Sequence, residues 1–119
     1  MIDKAKWAMD IHIGRGPKAD LQFEDNQYSR EWWSWCDALF MAPPSFARMS
    51  KITGEQKYLD YADEHWWITS DYLYSTDDSL FYRDDRFFNK KTSNGNKVFW
   101  ARGNGWVIAG LARMLEINA

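Results

Sequence analysis

Apolar residues recur at helical spacing from the start of the chain. Ile2, Ala5 and Met9 fall on one face with Trp7 and Ala8 beside it, which predicts a helical end over residues 1–10. Gly14-Arg15-Gly16-Pro17 and the polar stretch to Arg30 carry turn formers and no sustained period, so a long loop is expected there. The next apolar run, Trp32 to Pro44, is interrupted by Pro43-Pro44, because proline lacks an N–H donor and disfavours a helical residue before it. Regular helix is therefore expected only from Pro44, through Ser45–Lys51, with the turn at Asp37 to Met41 distorted or separate. Ile52-Thr53-Gly54 ends it. Thr53 followed by Gln56 reads as a capping box opening a helix from about Glu55 to Tyr74. Leu59, Ala62, Trp66 and Leu73 share a stripe on that helix, and Lys57, Asp60, Asp63, Glu64 and Asp71 fall largely outside it, the pattern of an outer helix buried on one side. From Asp77 short aromatic and β-branched runs, L-F-Y-R-D-D-R-F-F and K-V-F-W, flank Asn94-Gly95, which predicts a small β-hairpin. The last helix, about Asn104 to Ile117, is apolar nearly all round and is expected to be buried.

Composition narrows what such a helical chain can be. With 119 residues, 45% of them hydrophobic, there is material for one small core. Eight tryptophans are more rings than so small an interior can hide, so some are expected to line a cleft or an absent partner surface. Fifteen basic residues against 17 acidic, with no basic run, make nucleic acid and anionic membrane poor partners. The single cysteine, Cys36, leaves no internal disulfide framework and no thiolate metal site. No apolar run approaches a membrane span, and the N-terminal M-I-D-K-A-K-W lacks a signal-peptide core, so a soluble chain is expected and its compartment stays open.

Candidate chemistry concentrates in W-W-S-W-C-D, Trp32 to Asp37. A carboxylate crowded by indoles loses solvation and holds its proton more tightly, which suits Asp37 to general acid work; the rings offer flat faces for stacking sugars. The plainer alternative is that Ser34 caps a helix and Asp37 answers as the acidic half of a capping box. Gly14-Arg15-Gly16 lacks the lysine and hydroxyl residue of a phosphate loop. His12 and His65 have no ligand-like spacing, and Asp77-Asp78 and Asp84-Asp85 lack the spaced pattern of a calcium loop and read as solvated turns. Nothing in the pattern calls for a metal or cofactor. The first tryptophan motif also repeats: at a constant offset of 65, Trp35 aligns with Trp100, Asp37 with Arg102, Met41 with Trp106, and Ala47-Arg48-Met49 with Ala112-Arg113-Met114. A unit of inner helix, loop and outer helix recurring at this length fits an α/α toroid, with Asp37 and Arg102 at the same end of two inner helices. Against that stand ordinary readings of Arg102 as a surface loop arginine and of Trp100 and Trp106 as core.

The segments W-C-D-A-L-F-M-A-P-P, L-F-Y-R-D and F-W-A-R-G-N-G-W-V-I-A-G-L-A-R-M-L resemble glycoside hydrolase family 105, the unsaturated rhamnogalacturonyl hydrolases and relatives, over about residues 30–118. The resemblance implies a mainly α fold, part of an (α/α)6 barrel of six helical hairpins, of which residues 1–119 would supply about two hairpins as part of a catalytic domain. It implies removal of a terminal 4,5-unsaturated uronic acid from an acidic oligosaccharide left by a polysaccharide lyase, as in pectin degradation. Asp37 matches the family's catalytic aspartate, a proton donor and then base for water, a role needing a pKa lifted toward neutrality. Trp35 belongs with it as a substrate-binding candidate, and Trp100, Arg102 and Trp106 match pocket-lining residues. Arg83 stands where better-known members carry a histidine, which points away from rhamnogalacturonan and toward another acidic partner sugar. A second family acid has no counterpart in these residues. The remaining barrel repeats, or a second copy, are the expected protein partners, because a hairpin of a closed ring relies on its neighbours. The rival expectation is a non-catalytic carbohydrate-binding or self-associating helical piece.

Overall fold

The computed structural model describes residues 1–16, 21–24 and 31–119. Most of the loop expected between Gly16 and Arg30 lies outside the described residues. Among the described residues, five α-helices follow one another: α1 (Ile2–Arg15), α2 (Ala38–Met41), α3 (Pro43–Thr53), α4 (Lys57–Leu73) and α5 (Ala101–Asn118). Between α4 and α5 lie a two-stranded antiparallel sheet, β1 (Tyr74–Ser75) and β2 (Leu80–Phe81), and a short 3-10 helix (Asp85–Phe87).

Helix α1 runs through Gly14 and Arg15, past the expected end at residue 10. The proline pair acts as its chemistry requires: α2 stops at Met41, and α3 begins with Pro43 and Pro44 in its first turn, where a missing N–H costs nothing. Gly54, left-handed at φ 75°, closes α3. Neither expected capping box forms. Helix α4 has Gln56 at its N-cap position without a side-chain cap; the Thr53 hydroxyl donates to Met49 O, and its oxygen accepts from Glu55 N–H. Asp37 occupies the N-cap position of α2 itself and gives no side-chain cap.

The core lies between α3 and α4 and reaches back to α2. Trp33 is its centre, meeting Phe46, Tyr61 and His65 edge-on at 5.7–5.8 Å, while Phe46 stacks on Tyr61 at 4.9 Å. The buried stripe of α4 is Tyr58, Tyr61, Ala62, His65, Thr69, Ser70 and Leu73, rotated from the expected one, so Leu59 and Trp66 are only half-buried. The five acidic and basic residues assigned to its outer face are all exposed. His65 is a packing histidine: Nδ1 meets Tyr61 O, and burial pulls its pKa down. At the other end Asp10 of α1 accepts from Tyr58 Oη at 2.6 Å and pairs with Lys57 and Lys6, tying α1 to α4.

Two expectations are corrected. The sheet forms by pairing Tyr74 with Phe81 and Ser75 with Leu80, one turn earlier in the chain than predicted; Asn94-Gly95 closes only a single bridge, Lys91 to Lys97. The F-F and K-V-F-W aromatics pack ring against ring instead, Tyr82 against Phe88 and Phe99. Helix α5 is not buried either: Val107, Gly110 and Ile117 are, but Ile108 is 70% and Leu115 76% exposed. Among the described residues no helix is long and apolar enough to cross a membrane.

Candidate active site

Two helix starts meet at one place. Glycine 103, third residue of α5, sits so close to the start of α2 that a Cβ there would lie 2.7 Å from Cys36 Sγ, 2.9 Å from the Trp100 ring and 3.5 Å from Asp37 Oδ1. Seven residues on, a Cβ at Gly110 would lie 2.4 Å from Leu39 O. Both contacts advance in the same sense along the two segments, so α2 and α5 run parallel and touch through backbone. That is the arrangement the offset of 65 predicts for Asp37 and Arg102, the latter being the second residue of α5.

Asp37 is 6% exposed. The Cys36 thiol points at its Oδ1 at 3.5 Å; burial first, and the Asp37 charge second, push that thiol up to about 12, so it stays protonated and serves as a donor. Backbone strain sets the approach to the acid. Trp33 is left-handed at φ 59°, uncommon for a bulky side chain, and is held there by its ring packing and by the Thr69 hydroxyl donating to Trp33 O. Cys36 N–H then donates to Arg83 O at 2.8 Å, which brings the segment after β2 against the acid.

The guanidinium of Arg102 lies over the Trp100 ring at 4.5 Å, and that of Arg83 at 5.7 Å from the same ring. One half-buried indole thus carries two cations beside Asp37. Among the described residues no ion pair joins Asp37 to either arginine; Arg83 pairs instead with Asp84, which also holds Arg86. Asp84 is fully buried, a correction to its reading as a solvated turn. Burial opposes its charge, but the Arg86 bonds and both arginine charges outweigh that and hold its carboxyl below the ordinary range. Asp84, Asp85 and Arg86 are the residues sequence reasoning missed here. The signal was R-D-D-R itself, two bases flanking two acids. Asn104 was passed over too: its Oδ1 accepts from Phe81 N–H and its Nδ2 donates to Phe81 O and Trp100 O, fastening the sheet to the start of α5.

Asp37, Arg83, Trp100 and Arg102 are therefore brought together. Trp106 stands farther along α5, its ring 4.5 Å from Phe40 and partly exposed. Trp35 turns elsewhere, lining a cavity of about 360 Å³ between α1 and the α2–α3 segment with His12, Glu31, Trp33 and Met41. Asp37 does not line that cavity. No group of acids, histidines and cysteine fit to hold a metal ion occurs among the described residues.

The profile of Glycosyl Hydrolase Family 88 matches residues 1–117. The chain belongs to this family. Two curated relatives, each called unsaturated 3S-rhamnoglycuronyl hydrolase, come from Alteromonas sp. strain LOR and Formosa agariphila; they are 40% and 46% identical over 93% and 97% of this chain. The chain spans 29% and 32% of their lengths. A solved family 88 glycosyl hydrolase from Bacteroides vulgatus superposes with a TM-score of 0.81 at 30% identity, over 99% of this chain and 31% of that one. The helices and small sheet described above are thus part of an (α/α)6 barrel. Family 88 is close to the family 105 that the motifs resemble.

Proposed function

We propose that the chain is the aspartate-bearing part of a hydrolase that removes a terminal 4,5-unsaturated uronic acid from acidic oligosaccharides made by polysaccharide lyases, with the finer affinity to family 105 that its motifs carry. The observation that bears most weight is the contact of Gly103 with Asp37, which sets an acid and two guanidiniums around one indole. The names of the two relatives support the same substrate class. Charge supports it too. Arg83 and Arg102, the two guanidiniums over Trp100, are the cations an anionic sugar would meet there.

On this reading Asp37 protonates C4 of the enol ether, and positive charge develops at C5 and the ring oxygen. Water adds at C5 and gives its proton to the Asp37 carboxylate. The hemiketal opens to a ketone, leaving C1 as a hemiacetal that expels the partner sugar. Arg102 holds the uronate carboxylate through charge-assisted bonds worth about 1.5–3 kcal/mol, and Trp100 with Trp106 walls in the flat ring. The exposed residues of α5, Ile108, Leu111 and Leu115, are where a neighbouring hairpin of the ring packs.

The test follows the ultraviolet absorbance of the C4=C5 bond while the full-length protein carrying these residues acts on unsaturated disaccharides. Turnover is expected, with Asp37→Asn slower by about 10²–10⁴-fold, the usual range for a positioned acid. Undiminished turnover by Asp37→Asn removes the assigned role. The exposed apolar face of α5 also favours a second reading, a self-associating or carbohydrate-binding piece. Tryptophan quenching by sugars without turnover, unchanged in Asp37→Asn, decides for that one.

A further inference from the structure

A carboxylate stripped of water is costly unless every lone pair is engaged, and one with no exposure at all is the most constrained group of this site. Asp84 has none. Its Oδ1 accepts from Arg86 N–H at 3.1 Å and Arg86 Nε at 2.8 Å; its Oδ2 accepts from Arg86 Nη2 at 3.0 Å and from Arg83 Nη1. Arg86 is therefore gripped through backbone and side chain together, while Arg83 gives a single Nη1 and keeps further donors to spare. Phe23 lies under both, 4.3 Å from the Arg86 guanidinium and 5.6 Å from that of Arg83. Asp85 fastens the same seat from the next position, accepting from Phe23 N–H and from the Tyr72 hydroxyl. Arg83 itself remains one-third exposed, above Trp100 and beside the acid.

We propose that Asp84 is a positioning residue: it holds Arg83 over Trp100 as the reader of a second anionic group on the sugar next to the uronate. The inference rests on the hydrolase reading above. One uronate carboxylate takes one guanidinium, and Arg102 supplies it; Arg83, one-third exposed and with donors beyond the one given to Asp84, can take a second anion. The group read is an anion on the partner sugar, either a sulfate ester or a carboxylate.

The experiment is carried out on the full-length protein with three unsaturated disaccharides, whose partner sugar is neutral, sulfated or carboxylated. Asp84→Asn, which keeps shape and removes charge, is expected to raise KM about tenfold or more on an anionic partner with kcat nearly unchanged, and to leave the neutral one nearly unaffected, since one charge-assisted bond is lost. The substrate on which the effect appears identifies sulfate or carboxylate. Arg83→Met, in which the Asp84 and Arg86 pair stays, is expected to lose more on the anionic partner than on the neutral one and keeps the test valid if Asp84→Asn does not fold. Equal losses on all three substrates in both variants assign Asp84 a purely structural role and overturn the proposal. Absence of turnover of every substrate by the unaltered protein overturns the hydrolase reading, a result distinct from equal losses.

Discussion

The two copies related by the offset of 65 share a pattern and meet opposite fates. In the first, α2 and α3 carry Pro43 and Phe46 into the interior; at the equivalent places of the second, α5 presents Ile108 and Leu111 to solvent. The first copy is broken by its proline pair and the second is one continuous helix. What differs is cover. The first has α4 laid along it and α1 tied to α4 through Asp10, whereas α5 meets α2, α3 and β2 and leaves Ile108 and Leu115 uncovered. A helix that is apolar nearly all round thus keeps an exposed apolar face, Ile108, Leu111 and Leu115, wherever nothing is laid over it.

The contrast breaks most readily at the covered copy. Phe46→Ala is expected to lower stability by about 3–5 kcal/mol in urea unfolding, the usual cost of removing a core phenylalanine. A small loss there would mean that the first copy is no better packed than the second. Next in size is the seam between the copies. Gly110→Ala places a methyl group against Leu39 O, and about 1–3 kcal/mol of overpacking is expected to outweigh the roughly 1 kcal/mol gained in helix propensity. A raised melting temperature would show that α2 and α5 do not touch as described. At the uncovered copy, Ile108→Ala is expected to stay within about 0.5 kcal/mol of the unaltered chain.

The smallest effect concerns pH. Asp10 is held down to about 2 by the Tyr58 hydroxyl first, then by Lys57 and Lys6. Its folded pKa lies below its unfolded one, so its contribution is complete above the ordinary carboxylate range of about 3.9 and is lost as pH falls through about 2. An acid titration of tertiary structure should show this phase in the unaltered chain and lack it in Asp10→Asn. An identical profile for both would release α1 from α4.

Much of this was legible because local chemistry decided it. Pro43-Pro44 and Gly54 set the bounds of α3 through donors and φ angles, and the repeat placed Asp37 and Arg102 at equivalent helix starts. What was illegible depended on competition. Thr53 found nearer backbone partners than a capping box offers, and Asn94-Gly95 turned the chain without enough strand on either side to build a sheet. Asp84 read as a surface acid because burial of a carboxylate depends on where two arginines arrive, and hydrophobicity does not encode that. Trp35 was grouped with Trp100 by the repeat, but the strained Trp33 turns the chain so that the ring of Trp35 faces α1.

The central claim is that Asp37 and Arg102 act on one bound sugar. A double-mutant cycle in kcat/KM with Asp37→Asn and Arg102→Met, on an unsaturated disaccharide, tests it most directly. Groups sharing one transition state are expected to be strongly non-additive, with the double variant scarcely slower than Asp37→Asn alone. Losses that multiply independently would place the acid and the arginine in separate sites and contradict the account.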